Sequence, residues 1–226
     1  MRGTMVNQWP RACYDVSCQK CERLARFLGE VKAEHPDYFC KPVPPFGDAN
    51  AELLIVGLAP GKHGANATGR PFTGDHAGRL LYKTLFVFGF ASRPESVSAD
   101  DGLALVNCRI TNAVKCLPPQ NKPLGSEEKN CNPFLQEEIS GPGVRVLLAL
   151  GLLAHRAILR ALGMKPGKYP FGHNRWHALG NGVMLVNSYH CSRYNTQTRR
   201  LTEAMFFEVF EDIGQKLRES TCEQRL

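Results

Sequence analysis

Four short apolar runs, each followed by a longer stretch with helical spacing, constrain the fold more than any other feature of this sequence. Runs of this length without polar alternation are typical of strands that are buried on both faces of a parallel sheet. The sequence therefore predicts an α/β fold, a three-layer α/β/α sandwich with a four-stranded, mostly parallel central sheet. The runs are LLIVGL (53–58), CRITNAV (108–114), VRVLLAL (144–150) and VMLVNSY (183–189).

The stretches between the runs have the 3.6-residue periodicity of amphipathic helices. We expect the second helix to begin with a capping box at Ser126. We also expect one domain spanning 1–226, because 226 residues suit a single buried core. Residues 1–45 form a polar arm with one helix at about 19–33. The other helices are expected at 76–90, 126–139, 152–163 and 201–218.

Ligands of parallel α/β sheets bind outside the carboxyl ends of the strands. Four predicted loops surround that edge, so we expect the functional residues to lie in them. They are 59–75, 115–124, 163–178 and 188–200.

The charge of the chain favours a polyanionic partner. The formal net charge is +7, and cationic side chains that neutralise phosphates release counterions and add affinity. No apolar run approaches the roughly 18–20 residues that a membrane span needs. Residues 1–15 lack the apolar core of a signal peptide. We therefore expect a cytoplasmic monomer with no membrane association.

The chain has nine cysteines, and in a reducing compartment such a set indicates metal ligands and buried thiols more than disulfides. Cys18 and Cys21 form a CxxC at the start of the arm helix. Cys116 follows the second strand and Cys131 lies in the next helix. These four could hold zinc or an iron–sulfur cluster and join the arm to the core, or could be free thiols. The others are expected to be packing residues, with the first of them the best substitute ligand: Cys13, Cys40, Cys108, Cys191 and Cys222.

The glycine-rich stretch GLAPGKHGANATGRPFTGD (57–75) follows the first strand. A Walker A motif needs four residues before Gly-Lys and then Ser or Thr, whereas here three residues separate Gly57 from Gly61, and His63 follows the lysine. The GxGxxG of a Rossmann fold is also absent. These departures argue against a nucleotide cofactor. The remaining interpretation is a loop that approaches a flat ligand, with Phe72 as a stacking face. Asp75 is then either a helix N-cap or a functional carboxylate.

Three segments together resemble the family 5 (type b) uracil-DNA glycosylases. The glycine-rich stretch is similar to the first motif of that family, and ITNAVKC (110–116) to its uracil-reading strand end. SYHCSRYNTQT (188–198) resembles the second catalytic motif, with Cys191 where proline is usual. The cysteine pattern is similar to the [4Fe–4S] ligands of families 4 and 5. The match runs from about residue 18 to 205 in the family's order.

This resemblance implies a DNA repair enzyme that flips a damaged base out of DNA and hydrolyses its N-glycosidic bond. The implied substrates are uracil and other deaminated bases such as hypoxanthine. The implied product is an abasic site, which begins base excision repair. The resemblance also implies a structural [4Fe–4S] cluster on Cys18, Cys21, Cys116 and Cys131.

The resemblance and the chemistry together suggest site residues. Asp75 would direct the attacking water, His190 would stabilise the oxygen of the departing base, and Asn195 would hold the water or a phosphate. Phe72 would stack on the base and Asn112 would read its edge. Gly57 would let the backbone approach the base.

Cationic and aromatic residues near the second motif are expected to grip DNA. Arg193 and Arg199 follow His190 on its loop, and Tyr194 could wedge into the gap that the flipped base leaves. Further expected phosphate contacts are Lys62, Arg70 and Arg200. Auxiliary roles are open for His63 and Asn66.

Two other functions compete with base excision. A non-catalytic DNA-binding protein with a structural four-cysteine metal site would need neither Asp75 nor His190. An iron–sulfur redox enzyme is disfavoured, because four protein thiolates leave no open coordination position on the cluster.

Overall fold

The structure is a computed structural model that describes residues 13–223, and side chains to residue 219. Residues 1–12 of the predicted arm lie outside the described residues, as does the side chain of Cys222. None of the helices in the described part of the chain combines the length and the hydrophobicity that a membrane span requires.

The described residues form a mixed, mostly parallel sheet with the strand order β1-β3-β2-β4-β6-β5. The four central strands are parallel and are the four that the apolar runs predict. The prediction of a four-stranded sheet was nevertheless wrong, because two antiparallel edge strands extend it to six. The strands are β1 (Phe46–Gly47), β2 (Leu53–Gly57), β3 (Cys108–Asn112), β4 (Val146–Leu150), β5 (Trp176–Gly180) and β6 (Val183–Ser188).

The helices agree with the predicted pattern, and two short ones are added in the loops. Within the described residues they are α1 (Glu22–Glu34), α2 (Ala65–Thr68), α3 (His76–Val87), α4 (Gly125–Ile139), α5 (Leu152–Ala161), α6 (Arg193–Gln197) and α7 (Glu203–Glu223).

The predicted capping box at Ser126 was wrong, because Ser126 lies inside α4. The helix begins one residue earlier, after Leu124. The carboxylate of Glu127 accepts the backbone N–H of Leu124 at 2.7 Å. A side chain inside the first turn therefore satisfies the backbone N–H of the residue that precedes the helix.

Alternate side chains of β2 enter two separate cores. Leu53 and Ile55 pack into a cluster with buried residues of α3 and α7. Leu54 and Val56 pack against residues of α4 and α5. Helices therefore cover both faces of the sheet, which explains why its central strands are continuously apolar.

Candidate active site

A cavity of about 330 Å³ opens beyond the carboxyl ends of β2, β3 and β6. It lies where the parallel-sheet rule predicts a ligand site. Loops 59–75 and 188–200 and the end of β3 supply most of its walls. The polar and aromatic side chains that line it are Phe72, Asp75, His76, Asn112, Asn121, His190, Ser192 and Arg193.

The three residues expected to bind a base meet on one wall of this cavity. A Cβ on Gly57 would lie 2.6 Å from the Phe72 ring and 2.5 Å from Asn112 Oδ1. Only glycine leaves room for both side chains at the end of β2. Asn112 is 3% exposed, and among the described residues its side-chain amide has no hydrogen-bond partner. An unpaired amide that faces a cavity is available to a ligand.

Phe72 has an unusual backbone conformation for a large side chain, with φ at 55°. A left-handed conformation in a residue other than glycine stores roughly 1–3 kcal/mol of strain. The Phe72 carbonyl lies so close to Gly78 that a Cβ there would be 1.7 Å from the oxygen. The Phe72 ring lines the cavity, with its centroid 6.0 Å from that of His190.

Asp75 is both a helix cap and a wall of the cavity. Its Oδ1 accepts the Gly78 N–H at 2.8 Å at the start of α3. A Cβ on Gly64 would lie 2.7 Å from Asp75 Oδ2, so the absence of a side chain there makes room for the carboxylate. Burial raises the pKa of Asp75, although hydrogen bonds from the Gly78 and Ala77 N–H groups oppose that rise.

His190 lies directly after β6, with its ring beside that of Phe72. Burial lowers its pKa to about 4, so the imidazole is neutral near pH 7. Within residues 13–223, no side-chain hydrogen bond holds the ring. Its backbone carbonyl accepts the Asn195 amide at 2.8 Å. Asn195 therefore touches the peptide of His190 and does not line the cavity.

The residues expected to grip DNA cluster around α6, which follows His190. Ser192 caps this helix by accepting the Asn195 N–H at 3.4 Å. Arg193 faces the cavity mouth, and the Tyr194 side chain is 70% exposed beside it. Arg199 follows the helix and is exposed.

Cys191, which stands where the related motif has proline, is fully buried in the core below α6. Burial and the negative charge of Asp75 raise the pKa of Cys191 to about 12. It is therefore a protonated packing residue. Cys13, Cys40 and Cys108 are also buried, which agrees with the expectation that they are packing residues.

The expected phosphate contact of Arg70 was wrong. Arg70 is 5% exposed and pairs with the carboxylate of Asp101 at 2.7 Å, so it cannot reach a phosphate. Neither expected auxiliary residue lines the cavity, since His63 contacts Tyr38 and Asn66 is buried against Cys40.

Asn121 lines the cavity although none of the sequence motifs pointed to it. It follows Gln120, and both residues have φ at 56°, in the loop after β3. Asn is the residue other than glycine that best tolerates this conformation. An Asn within a Pro-rich loop at a strand's carboxyl end was the signal that could have found it.

The four cysteines proposed as ligands lie together at the junction of the arm and the core. Cys18, Cys21, Cys116 and Cys131 line one small cavity, within an apolar cluster that includes Leu24. Burial raises the pKa of Cys116, and the three other thiols raise it further. In the described range, no three His, Cys, Asp or Glu side chains are arranged to hold a single metal ion.

The side chains around the cavity suit one class of enzyme, which cleaves a bond beside a planar ring. A flat aromatic face, an unpaired amide, a half-buried carboxylate and a neutral imidazole surround one pocket at the carboxyl edge of a parallel sheet. Such a set suits the cleavage of a bond beside a planar heterocycle.

Comparison with known proteins identifies the family. Residues 44–214 match the model of the uracil DNA glycosylase superfamily. The type-5 uracil-DNA glycosylase of Thermus thermophilus is 45% identical over 199 residues, covering 85% of this chain and 90% of that protein. The type-5 enzyme of Pyrobaculum aerophilum is 43% identical, covering 88% and 92%. The type-4 enzyme of Saccharolobus solfataricus is 28% identical, covering 88% and 83%. The chain belongs to the uracil-DNA glycosylase superfamily, among the type-5 uracil-DNA glycosylases.

Proposed function

We propose that this protein hydrolytically excises uracil from DNA and leaves an abasic site for base excision repair. The observation that carries the proposal is the convergence of Phe72, Asp75, Asn112 and His190 on one cavity. The type-5 relatives, named as uracil-DNA glycosylases, support the same substrate.

Substrate binding begins with the base leaving the helical stack. The Phe72 ring offers a face for the extruded base, at roughly 1–3 kcal/mol per stacked base. The unpaired Asn112 amide can both donate to and accept from a base edge that has a carbonyl beside an N–H, as uracil does. Gly57, which leaves space beneath both side chains, permits this arrangement.

Hydrolysis breaks the bond between the base nitrogen and the anomeric carbon, and the electron pair leaves with the base. The neutral His190 ring donates an N–H to a carbonyl oxygen of the departing base, where negative charge develops. Asp75 orients a water and accepts its proton as the oxygen bonds to the anomeric carbon. The departing anion takes up a proton and is released as uracil. Asn195 holds the His190 peptide in position.

DNA is gripped by α6 and the loop after it. Arg193 and Arg199 would contact phosphates, and the exposed Tyr194 ring would occupy the gap left by the base. A cavity of about 330 Å³ is larger than one pyrimidine needs. We therefore extend the proposal to other deaminated bases, with hypoxanthine as the test case.

We also propose that Cys18, Cys21, Cys116 and Cys131 hold a [4Fe–4S] cluster. The donor set fits, because four thiols surround one cavity within apolar packing. The cysteine pattern resembles the cluster ligands of families 4 and 5, which favours a [4Fe–4S] cluster over a single zinc ion. When bound, the cluster would join the arm to the core within one domain.

The decisive experiment incubates the protein with duplex DNA that contains one uracil, followed by alkaline cleavage of abasic sites. The expected result is strand scission at the uracil only, and parallel duplexes with hypoxanthine measure substrate breadth. No scission at high enzyme excess would contradict the proposal. Retained DNA binding in that case would favour the non-catalytic DNA-binding function.

A further inference from the structure

The segment 91–106 lies between α3 and β3 and has no part in the chemistry above. Its two ends pair with each other, with an antiparallel bridge between Ala91 and Leu105. The Ser92 N–H also donates to the Ala104 carbonyl at 2.9 Å. The residues between these ends form a closed loop against the glycine-rich stretch.

The carboxylate of Asp101 organises this loop from within. It accepts the backbone N–H groups of Val97 and Leu103, both at 2.9 Å. It also pairs with Arg70 at 2.7 Å, and the two side chains are only 8% and 6% exposed. The Arg70 guanidinium and the N–H groups of the loop hold the pKa of Asp101 well below its usual range despite partial burial. The loop is therefore ordered around a buried ion pair with the glycine-rich stretch.

Arg70 reaches further into the same loop. Its guanidinium donates to Ser96 Oγ at 3.0 Å and to the Ala99 carbonyl. It lies 4.3 Å from the centre of the Phe46 ring in β1. The guanidinium is thus occupied by protein groups on several sides, which fits a structural clamp and not a phosphate contact.

Ser96 also holds the chain on the other side of Phe72. Its hydroxyl is 2.7 Å from Thr73 Oγ1, and its carbonyl accepts the Gly74 N–H at 3.4 Å. Arg70 and Thr73 therefore bind the same serine and flank the strained Phe72 backbone. A strained conformation persists only where its surroundings over-determine it.

We propose that Arg70, Ser96 and Asp101 are positioning residues for base excision. They hold the Phe72 ring and, three residues later, the Asp75 carboxylate in the geometry that the cavity requires. This role rests on the proposed uracil excision, and it assigns a use to segment 91–106. These three residues act through Phe72 and Asp75 and touch no substrate.

The test compares Ser96→Ala and Asp101→Asn with wild-type protein and with two controls. Ser96→Thr keeps the hydroxyl, and Glu203→Gln removes the exposed Lys83–Glu203 pair, 2.8 Å long, which lies outside both the glycine-rich stretch and segment 91–106. Melting temperatures select a temperature at which every variant is folded. Hydrogen exchange of the 70–78 backbone is measured by mass spectrometry. The rate of excision from uracil-containing duplexes is measured under single-turnover conditions.

We expect exchange in 70–78 to rise roughly tenfold in Ser96→Ala and Asp101→Asn, because each loses hydrogen bonds that hold the loop. The single-turnover rate should fall roughly tenfold, while the Kd for DNA changes less than about twofold. Ser96→Thr, which keeps the hydroxyl, should retain the wild-type exchange in 70–78 and the wild-type excision rate. Glu203→Gln should match wild type in both.

Unchanged excision in both folded variants would overturn the positioning role, whether or not exchange accelerates. If wild-type protein itself excises no uracil, the proposed function fails separately. Hydrogen exchange then tests by itself whether Arg70, Ser96 and Asp101 hold the 70–78 backbone. Unchanged exchange in the variants would overturn that role without any reference to activity.

Discussion

The Asp75 carboxylate accepts the backbone N–H of Gly78 at 2.8 Å and caps α3, yet the same side chain forms part of the cavity wall. The two interpretations of this residue, helix cap or functional carboxylate, are therefore compatible. One oxygen serves the helix while the carboxylate faces the cavity. Substitutions at Asp75 can therefore separate its contribution to stability, as the cap of α3, from its proposed contribution to catalysis.

Asp75→Asn keeps an oxygen that can accept the Gly78 N–H but removes the charge and the base. We expect the single-turnover rate of uracil excision to fall by about 10²–10⁴-fold, the usual contribution of a positioned base. Thermal stability should change little. Asp75→Ala should lose activity equally and also lose about 1 kcal/mol of folding free energy with the cap. Wild-type rates in Asp75→Asn would reject the catalytic role.

Gly57→Ala would place a methyl group against both base-binding side chains. The added Cβ would lie within 2.6 Å of the Phe72 ring and of the Asn112 amide. We expect a cost of about 1–3 kcal/mol in stability from overpacking and a clear loss of uracil excision, measured by calorimetry and by the alkaline cleavage assay. Gly29→Ala is the matched control, since nothing lies within 4 Å of its Cβ in α1. That control should gain roughly 0.5–1 kcal/mol.

His190 should make the protein less stable as the pH falls below 6.5. Its pKa is about 4 in the folded protein, against an ordinary value of 6.5, so between these pH values the unfolded chain binds more protons. The free energy of unfolding therefore rises from pH 4 to 6.5, by no more than about 1.4 kcal/mol per pH unit from this residue.

Urea titrations at several pH values measure this effect, with His190→Gln as the comparison. The substituted protein should have a shallower slope between pH 4 and 6.5, while other titrating groups contribute equally to both proteins. Identical slopes would show that His190 is not held neutral by burial.

Tyr194→Ala tests the proposed wedge. The side chain is 70% exposed, so its loss should hardly affect folding. We expect excision from duplex DNA to fall about tenfold and excision from single-stranded DNA to change little, because a single strand has no stack to be held open. Tyr194→Phe keeps the ring and should behave as wild type. Equal losses on both substrates would argue against a wedge.

The four-cysteine site predicts an iron–sulfur protein. Purified without air, the protein should be brown, absorb near roughly 400 nm and contain about four irons and four sulfides per chain. Cys116→Ser should lower the iron content and the melting temperature, because the arm loses its link to the core. Cys108→Ala removes a buried thiol outside the site and should keep its iron. Stoichiometric zinc in place of iron would contradict the proposed cluster.

The four central parallel strands could be predicted because the apolar composition of each one identifies it as a strand, without knowledge of the strands that it pairs with. Continuous apolar runs such as Leu53–Gly57 and Val146–Leu150 are buried on both sides, and few other arrangements bury both faces of so short a segment. β1 and β5 could not be predicted in this way. β1 has two residues, and Trp176–Gly180 is half-exposed with mixed polarity. Backbone pairing with a neighbour makes these segments strands, and single-chain patterns do not show pairing.

The candidate site likewise contains residues that the sequence could identify and residues that only the structure could assign. Resemblance to the family motifs, together with the chemistry of the residue types, selected Phe72, Asp75, Asn112 and His190, and the structure brings all four to one cavity. The roles assigned to them remain predictions. Arg70 was misassigned because an arginine in a loop has the same sequence signature whether it faces DNA or a buried carboxylate. Its partner Asp101 lies 31 positions away, and the direction of the side chain depends on that contact.

The sequence by itself determined the class of fold and, through motifs that resemble those of a known family, the family and the candidate chemical groups, since apolar periodicity and short motifs are local properties of the chain. Only the tertiary structure decided how many strands the sheet has, that Asp75 both caps a helix and faces the cavity, and that segment 91–106 braces Phe72. These features arise from contacts between residues far apart in sequence. Burial, pairing and pKa depend on those contacts, which local patterns do not specify.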